Sequence, residues 1–204
     1  MKLFVLGATG GIGSEVLRQA LLGGHEVTAY VRSPEKIQTR STLLRIERGD
    51  PLNSSALGAI LPGHDAAISA LGPRTGGSHT LLAEAARSTT EAMQRAGVRR
   101  LVIVSAALLF RDAGFLVAVV RSLFLRNVAR DCAAMERIVM DTDLAWTVAR
   151  PPRLTNGPLT QNYRVAEGQM PKRGFLISRA DVAHFLLGAA HDSLHTGKIV
   201  GLAR

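Results

Sequence analysis

Short apolar runs alternate with amphipathic stretches along most of this chain. Residues 3–6 (Leu3-Phe4-Val5-Leu6) form a compact apolar run that reads as a buried strand. Residues 10–22 follow at helical spacing, with Ile12, Val16, Leu17, Ala20 and Leu21 on one face, and Gly23-Gly24 stops them. The same reading places strands at 26–31, 42–47 and 65–71, with a short helix at 54–61 halted by Pro62-Gly63. A long helix is predicted over 78–96, with Ser78 as its N-cap and Gly97 as its terminator. A fifth strand spans 100–105, a helix falls within 122–142, and a sixth strand spans 144–149. Beyond Pro151-Pro152 the periodicity weakens. Short strands are predicted there at 163–167 and 175–178, then a helix at 178–190 and a terminal strand at 198–202.

Strands alternating with helices imply βαβ units, and hence an α/β fold in which a doubly wound parallel sheet carries helices on both faces. No repeat or linker interrupts the pattern, so residues 1–204 are expected to form one domain. Segment 151–178 follows a strand that should end at the ligand edge of the sheet, and it is expected to cover the substrate.

Composition narrows the partners. Of 204 residues, 47% are hydrophobic and 20% charged, which suits a soluble globular protein. Aromatics make up only 4%, too few for a surface that stacks single-stranded bases. The formal net charge is +9, from 25 Lys+Arg against 16 Asp+Glu, and it favours anionic partners. The arginines are scattered, so most read as solvated surface, with room for an anion-binding cleft. No DNA-reading motif is present, and nucleic-acid binding is not expected. Cys132 stands alone, so no internal disulfide forms, and a reducing, cytoplasmic compartment is expected. Met1-Lys2 leads straight into the first strand, so no targeting leader is expected. The apolar run 115–120 is far too short to span a bilayer, and no membrane partner is expected. The apolar region 117–130 reads either as a surface for a partner or as a flap over the site, and the chain is expected to be a monomer or a homodimer.

The candidate chemistry starts at Gly7-Ala8-Thr9-Gly10-Gly11-Ile12-Gly13, a G-x-x-G-x-x-G turn. A glycine pattern alone is weak evidence, but this one follows a predicted strand and opens a predicted helix, as a dinucleotide-binding turn must. Gly7 allows a sharp turn, Gly10 clears a side chain from the path of a pyrophosphate, and Gly13 lets helix and strand pack closely. The helix N-terminus offers free N–H groups to the phosphates. This is the Rossmann arrangement. At the end of the second strand, where an acid would hold the ribose 2′-hydroxyl of NADH, the chain has Arg32, with Lys36 nearby. A guanidinium suits a 2′-phosphate, so the cofactor is expected to be NADPH (NADP+); the alternative reading of Arg32 and Lys36 is exposed loop charge. Asp50, after the third strand, reads either as an acceptor for the adenine amino group or as a cap for the next helix, although Asn53 or Ser54 is better placed for capping. Leu71-Gly72-Pro73-Arg74 reads either as the point where the cofactor crosses the sheet edge, with Arg74 reaching phosphate, or as an ordinary turn.

Other chemistries are missing. Tyr30 is followed four residues later by Pro34, and Tyr163 by Glu167, so neither starts a Tyr-x-x-x-Lys pair. There is no P-loop, and the six histidines are dispersed without a Cys/His cluster, so no metal site is expected. Ketone reduction without a proton donor forfeits about 10²–10⁴-fold in rate. An acceptor that takes hydride readily, such as a flavin, quinone or linear tetrapyrrole, fits better.

The chain resembles the atypical short-chain dehydrogenase/reductases of the NmrA-like group, and within it the flavin reductase/biliverdin reductase B proteins. The resemblance is carried by Gly7-Ala8-Thr9-Gly10, Val31-Arg32, Gly49-Asp50, Leu71-Gly72-x-Arg74, Ser105-Ala106, Pro151-Pro152, Gly157-Pro158-Leu159-Thr160 and Ile177-Ser178-x-x-Asp181. It implies that Gly7, Thr9, Gly10, Gly11, Ile12, Arg32, Lys36, Asp50, Leu71, Gly72, Arg74, Ser105 and Pro152 line the cofactor. It further implies that Ser105 sits beside the nicotinamide, where its hydroxyl orients the ring or the substrate. The alternative reading of Ser105 is a cap or strand-end serine. Mammalian members carry histidine after the Pro-Pro, whereas this chain has Arg153, which is no proton donor near neutral pH but suits an anionic group on the acceptor. Two functions are therefore weighed. One is an NADPH-dependent oxidoreductase passing hydride to a flavin or similar conjugated anionic acceptor, with Ser105 and Arg153 in catalytic roles. The other is a non-catalytic NADP(H)-sensing regulator.

Overall fold

The computed structural model describes residues 1–73, 80–110 and 126–204. Five of its strands follow the predicted order: β1 (Lys2–Leu6), β2 (Glu26–Val31), β3 (Leu44–Arg48), β4 (Ala66–Ser69) and β5 (Arg100–Val104). They are joined by α1 (Gly11–Leu22), α2 (Ser54–Ile60) and α3 (Leu81–Ala96). The second half contains α4 (Arg126–Met140), β6 (Ala145–Arg150), β7 (Arg153–Thr155), β8 (Arg164–Glu167), β9 (Leu176–Ser178), α5 (Arg179–His191) and β10 (Lys198–Ala203).

Eight strands form one sheet in the order β3-β2-β1-β4-β5-β6-β10-β8, and only β8 runs antiparallel to its neighbour. The rest of the sheet is parallel, as expected of a doubly wound fold. Just past β8 the backbone at Gln169 lies close against Gly201 of β10, where no Cβ could fit. Alternation along the strands builds two cores. Leu3 and Val5 face α1 and α5 with Val27, Val102 and Leu186, while Phe4 and Leu6 face α2, α3 and α4 with Leu57, Met93 and Met135.

The segment after Pro151-Pro152 is more ordered than its weak periodicity implies. β7 and β9 pair in parallel as a small separate sheet, and β7 was not anticipated because three residues carry no readable period. The predicted helix 78–96 begins at Leu81 among the described residues, and Ser78 lies outside them. Its first amides are capped from another helix. The Asp131 carboxylate, on α4, accepts from the N–H groups of Leu82 at 3.0 Å and Ala83 at 2.9 Å. A buried anion there also complements the helix dipole.

Gly13 is where α1 meets β1. A Cβ at this position would overlap the Gly7 carbonyl, and backbone cannot swing aside as a side chain can. Gly13→Ala is expected to cost about 1–3 kcal/mol, measurable by urea denaturation. Wild-type stability in the variant would show that the helix and strand can separate freely.

Candidate functional site: a cleft at the carboxyl edge of the sheet

The chain passes from β1 to β2 and β3 on one side of the sheet, then returns to β4 on the other side. A doubly wound sheet opens a crevice at such a reversal. A cleft of about 350 Å³ lies there, between the turn after β1 and the ends of β4, β5 and β6.

Of the residues expected at the cofactor, Gly10, Gly11, Ile12, Leu71, Gly72, Ser105 and Pro152 line this cleft. Gly7 supports it from behind. Its φ of +78° is left-handed, and a Cβ there would stand 2.6 Å from the Ala70 carbonyl oxygen. Thr9 is exposed in the same turn. No side chain caps α1 and no acid lies in its first turn, so its positive end is uncompensated from within the helix.

Arg32 is exposed just past β2, and Lys36 is exposed in a short 3₁₀ turn over Pro34–Lys36. Both lie away from the cleft wall, as does Asp50. The Asp50 Oδ1 accepts from the Leu52 amide at 3.0 Å, and Asn53 caps α2 by accepting from Ala56 at 3.0 Å. Arg74 lies outside the described residues, as does most of the 117–130 stretch.

Ser105 follows β5, and its amide donates to the Ala149 carbonyl at 2.8 Å. Ser105 is 9% exposed, and its hydroxyl makes no well-formed hydrogen bond among the described residues. The neighbouring Cys132 thiol interacts with this hydroxyl, and their interaction favours the ionised thiol slightly. Burial, with the nearby Asp131 and Glu136 carboxylates, pushes the Cys132 thiol up to about 11, so it is a neutral thiol at physiological pH.

Arg153 does not line the cleft. It is exposed on β7, whereas its neighbour Leu154 lies in the wall, as alternation along a strand requires. The polar side chains that do line it, among the described residues, are Ser105, Cys132 and Arg179. Sequence reasoning missed Cys132 and Arg179. The first sits on α4, which no local pattern ties to β5. The second is the residue after Ser178 in a quoted motif and carried a readable signal: a cation at the first position of a helix, where an acid is preferred.

The loop that follows β7 is held by one carboxylate. Asp181 is fully buried and accepts from the amides of Thr160 at 2.8 Å and Gln161 at 2.9 Å. It also accepts from the hydroxyls of Thr160 at 2.9 Å and Ser178 at 2.8 Å. Ser178 in turn caps α5 by accepting from the Asp181 amide at 2.9 Å. Burial alone would raise the Asp181 pKa, but these donors outweigh it and hold the carboxyl below its ordinary value. The quoted motifs at 157–160 and 177–181 are thus two halves of one joint.

A glycine turn between the first strand and helix, opening on the crevice of a doubly wound sheet, defines a dinucleotide-binding protein. Residues 7–193 match the NAD(P)H-binding family, and the chain belongs to it. It is 33% identical over 107 residues to the uncharacterized protein YwnB of Bacillus subtilis, covering 52% of this chain. The matched region spans about half, 48%, of that relative's length. A shorter match, 49% identical over 51 residues, links it to an uncharacterized protein of Schizosaccharomyces pombe, covering 25% of this chain and 16% of that protein. Among solved structures, a Rossmann-fold NAD(P)-binding family protein from Shigella flexneri is similar at a TM-score of 0.77 and 25% identity, over 100% of this chain and 93% of that one. A short-chain dehydrogenase/reductase from Veillonella parvula, in complex with NADP, shares the fold at a TM-score of 0.82 and 19% identity, over 100% and 94% of the two chains. Among the described residues no helix is long and apolar enough to cross a membrane.

Proposed function

We propose that the protein is an NADPH-dependent oxidoreductase that passes hydride to a flavin or a similar conjugated, anionic acceptor. One observation carries this reading. A single cleft joins the glycine turn to a buried hydroxyl at Ser105 that makes no well-formed hydrogen bond among the described residues, and the rest of its described wall is mainly apolar.

The residues fit a dinucleotide. The uncapped start of α1 and the absence of side chains at Gly10 and Gly11 suit a pyrophosphate. Ser105 supplies an unused donor and acceptor at the far end of the same cleft. When bound, the nicotinamide supplies the hydride. Arg32 and Lys36, exposed past β2, hold the 2′-phosphate. Asp50 lies beyond β3 with its second carboxylate oxygen available to the adenine amino group. Leu71, Gly72 and Pro152 form a close wall for the nicotinamide half. Arg153, exposed beside Pro152, meets the acceptor's anionic group at the rim.

The described wall contains no Tyr, His, Lys or carboxylate, and its thiol is neutral and weakly acidic. Reduction of an isoalloxazine ring takes up one hydride and one proton. With no acid in the described wall, that proton comes from water, which suits an acceptor whose reduction does not wait on a general acid.

The test is turnover with riboflavin or FMN, followed by loss of nicotinamide absorbance. Wild type is expected to prefer NADPH to NADH. Arg32→Ala is expected to weaken NADPH by about 10-fold or more and leave NADH nearly unchanged. Equal losses with both cofactors would remove Arg32 from the selection of the 2′-phosphate. Tight NADPH binding with no turnover on any acceptor would replace the reductase with a non-catalytic NADP(H) sensor.

A further inference from the structure

The geometry points to Arg179 as the residue that clamps the cofactor's pyrophosphate, with Asn156 as the side chain that positions it. This inference rests on the dinucleotide-binding reading above and adds to it a cation from the far end of the chain.

Three observations place Arg179 there. It is the one cation among the described residues that line the cleft. Its side chain lies directly over the first turn of α1, because a Cβ on Gly11 would stand 2.6 Å from both its Cδ and its Nε. Its Nη1 donates to the Asn156 side-chain oxygen at 2.5 Å. The Ser105 hydroxyl, buried at the far end of the same cleft without a well-formed hydrogen bond among the described residues, is a second group there suited to a polar ligand.

The charges explain why this matters. A pyrophosphate brings two negative charges, whereas a helix N-terminus offers only about half a positive one. The remaining charge must be met by side chains, and α1 itself contributes no cation in its first turn. A guanidinium presents paired donors that match two phosphate oxygens. Gly11 is therefore glycine for two reasons: it leaves room for the phosphate, and it leaves room for the stem of Arg179.

The position of the clamp is fixed by the Asp181 joint. Arg179 directly follows Ser178, the N-cap that Asp181 locks. Asn156 directly precedes the loop 157–160, whose end is tied to the same carboxylate through Thr160. Both ends of the Arg179–Asn156 hydrogen bond are thus anchored to one buried group. The guanidinium is held over the turn before the ligand arrives, which lowers the ordering cost of binding.

The test uses the whole chain and equilibrium binding rather than turnover. NADPH affinity is measured for wild type, Arg179→Ala and Asn156→Ala, with 2′-AMP as a second probe that carries the 2′-phosphate but no pyrophosphate. Arg179→Ala is expected to weaken NADPH by about 10- to 100-fold and to leave 2′-AMP unchanged. Asn156→Ala is expected to weaken NADPH by about 3-fold, since it removes only the positioning. Arg179→Lys, which keeps the charge but not the fork, should fall between wild type and the alanine variant. Should the alanine variant fail to fold, Arg179→Gln repeats the measurement with most of the stem retained.

NADPH affinity within twofold of wild type in Arg179→Ala would overturn the clamp while leaving dinucleotide binding in place. Equal losses for NADPH and 2′-AMP would also overturn it, because a local contact with pyrophosphate cannot reach the adenosine end. Failure of the wild type to bind any nicotinamide dinucleotide would overturn the functional reading itself, and the clamp with it.

Discussion

Asp181→Asn should lower the stability of the folded chain by about 2–4 kcal/mol, with the loss concentrated near neutral pH. The carboxylate accepts four hydrogen bonds from Thr160, Gln161 and Ser178 in a fully buried position. An amide of the same shape has one oxygen and one NH2 group, so it would turn donors toward donors. Asp181→Ala would leave all four donors without an acceptor. The pH dependence gives a second signature. The folded-state pKa is depressed, so the ionised form contributes its full stability above the unfolded value of about 3.9 and loses it as pH falls through the folded value. The gap between wild type and Asp181→Asn should therefore narrow as pH drops below about 4. Urea denaturation at several pH values measures this. A gap that is the same at pH 7 and pH 3 would show that Asp181 acts through packing rather than charge.

Because the same carboxylate anchors loop 157–160 and the start of α5, its loss should reach the site before it unfolds the chain. Conditions that leave Asp181→Asn folded should still show weakened NADPH binding, since Arg179 and Asn156 lose their common support.

Breaking the buried ion pair of Glu136 and Arg150 should have an effect at least as large. Glu136 on α4 is 4% exposed, and its two oxygens accept from Nε and Nη2 of Arg150 at the end of β6. The guanidinium also sits 4.6 Å from the centre of the Phe110 ring. Removing one partner leaves the other charged and unpaired in a dry setting, so Glu136→Ala is expected to cost about 3–5 kcal/mol. Replacing both at once, as Glu136→Leu with Arg150→Met, should recover most of that loss, because desolvating the pair costs nearly what their attraction returns. Denaturation of the two single variants and the double variant forms a thermodynamic cycle. A double variant as unstable as the worse single one would mean that the pair does more than satisfy its own burial. Arg150 immediately precedes Pro151-Pro152 in the cleft wall, so the pair also ties α4 to the residues that shape the site.

The outline of this protein was legible in local patterns. The alternation of apolar runs with helical stretches located nine of the ten described strands and every described α-helix, because strand and helix periods are written in neighbouring residues. The glycine turn was legible for the same reason: strand, turn and helix are contiguous, and the constraints at Gly7 and Gly13 arise within a few residues of each other. The parallel character of the sheet followed from the alternation, apart from the antiparallel β8, but the strand order came only with the tertiary structure.

What the sequence did not disclose are contacts between distant elements. Asp131 caps α3 from across 48 and 49 residues, and Arg150 on β6 meets Glu136 on α4 across a separation no local period spans. Arg179 lies over Gly11 from the opposite end of the chain. Nothing in a local window marks an aspartate as the cap of a different helix or an arginine as the cover of the first turn. Likewise, the reading of Arg153 as a partner for the acceptor's anionic group carried no sign that Leu154, not Arg153, turns into the wall. Local sequence determines which segments become strands and helices, because backbone preferences and one-sided burial act over a few residues. Which side chains meet in the cleft is decided only when sheet order brings the ends of β1, β4, β5 and β6 together, because those contacts depend on the packing of whole elements.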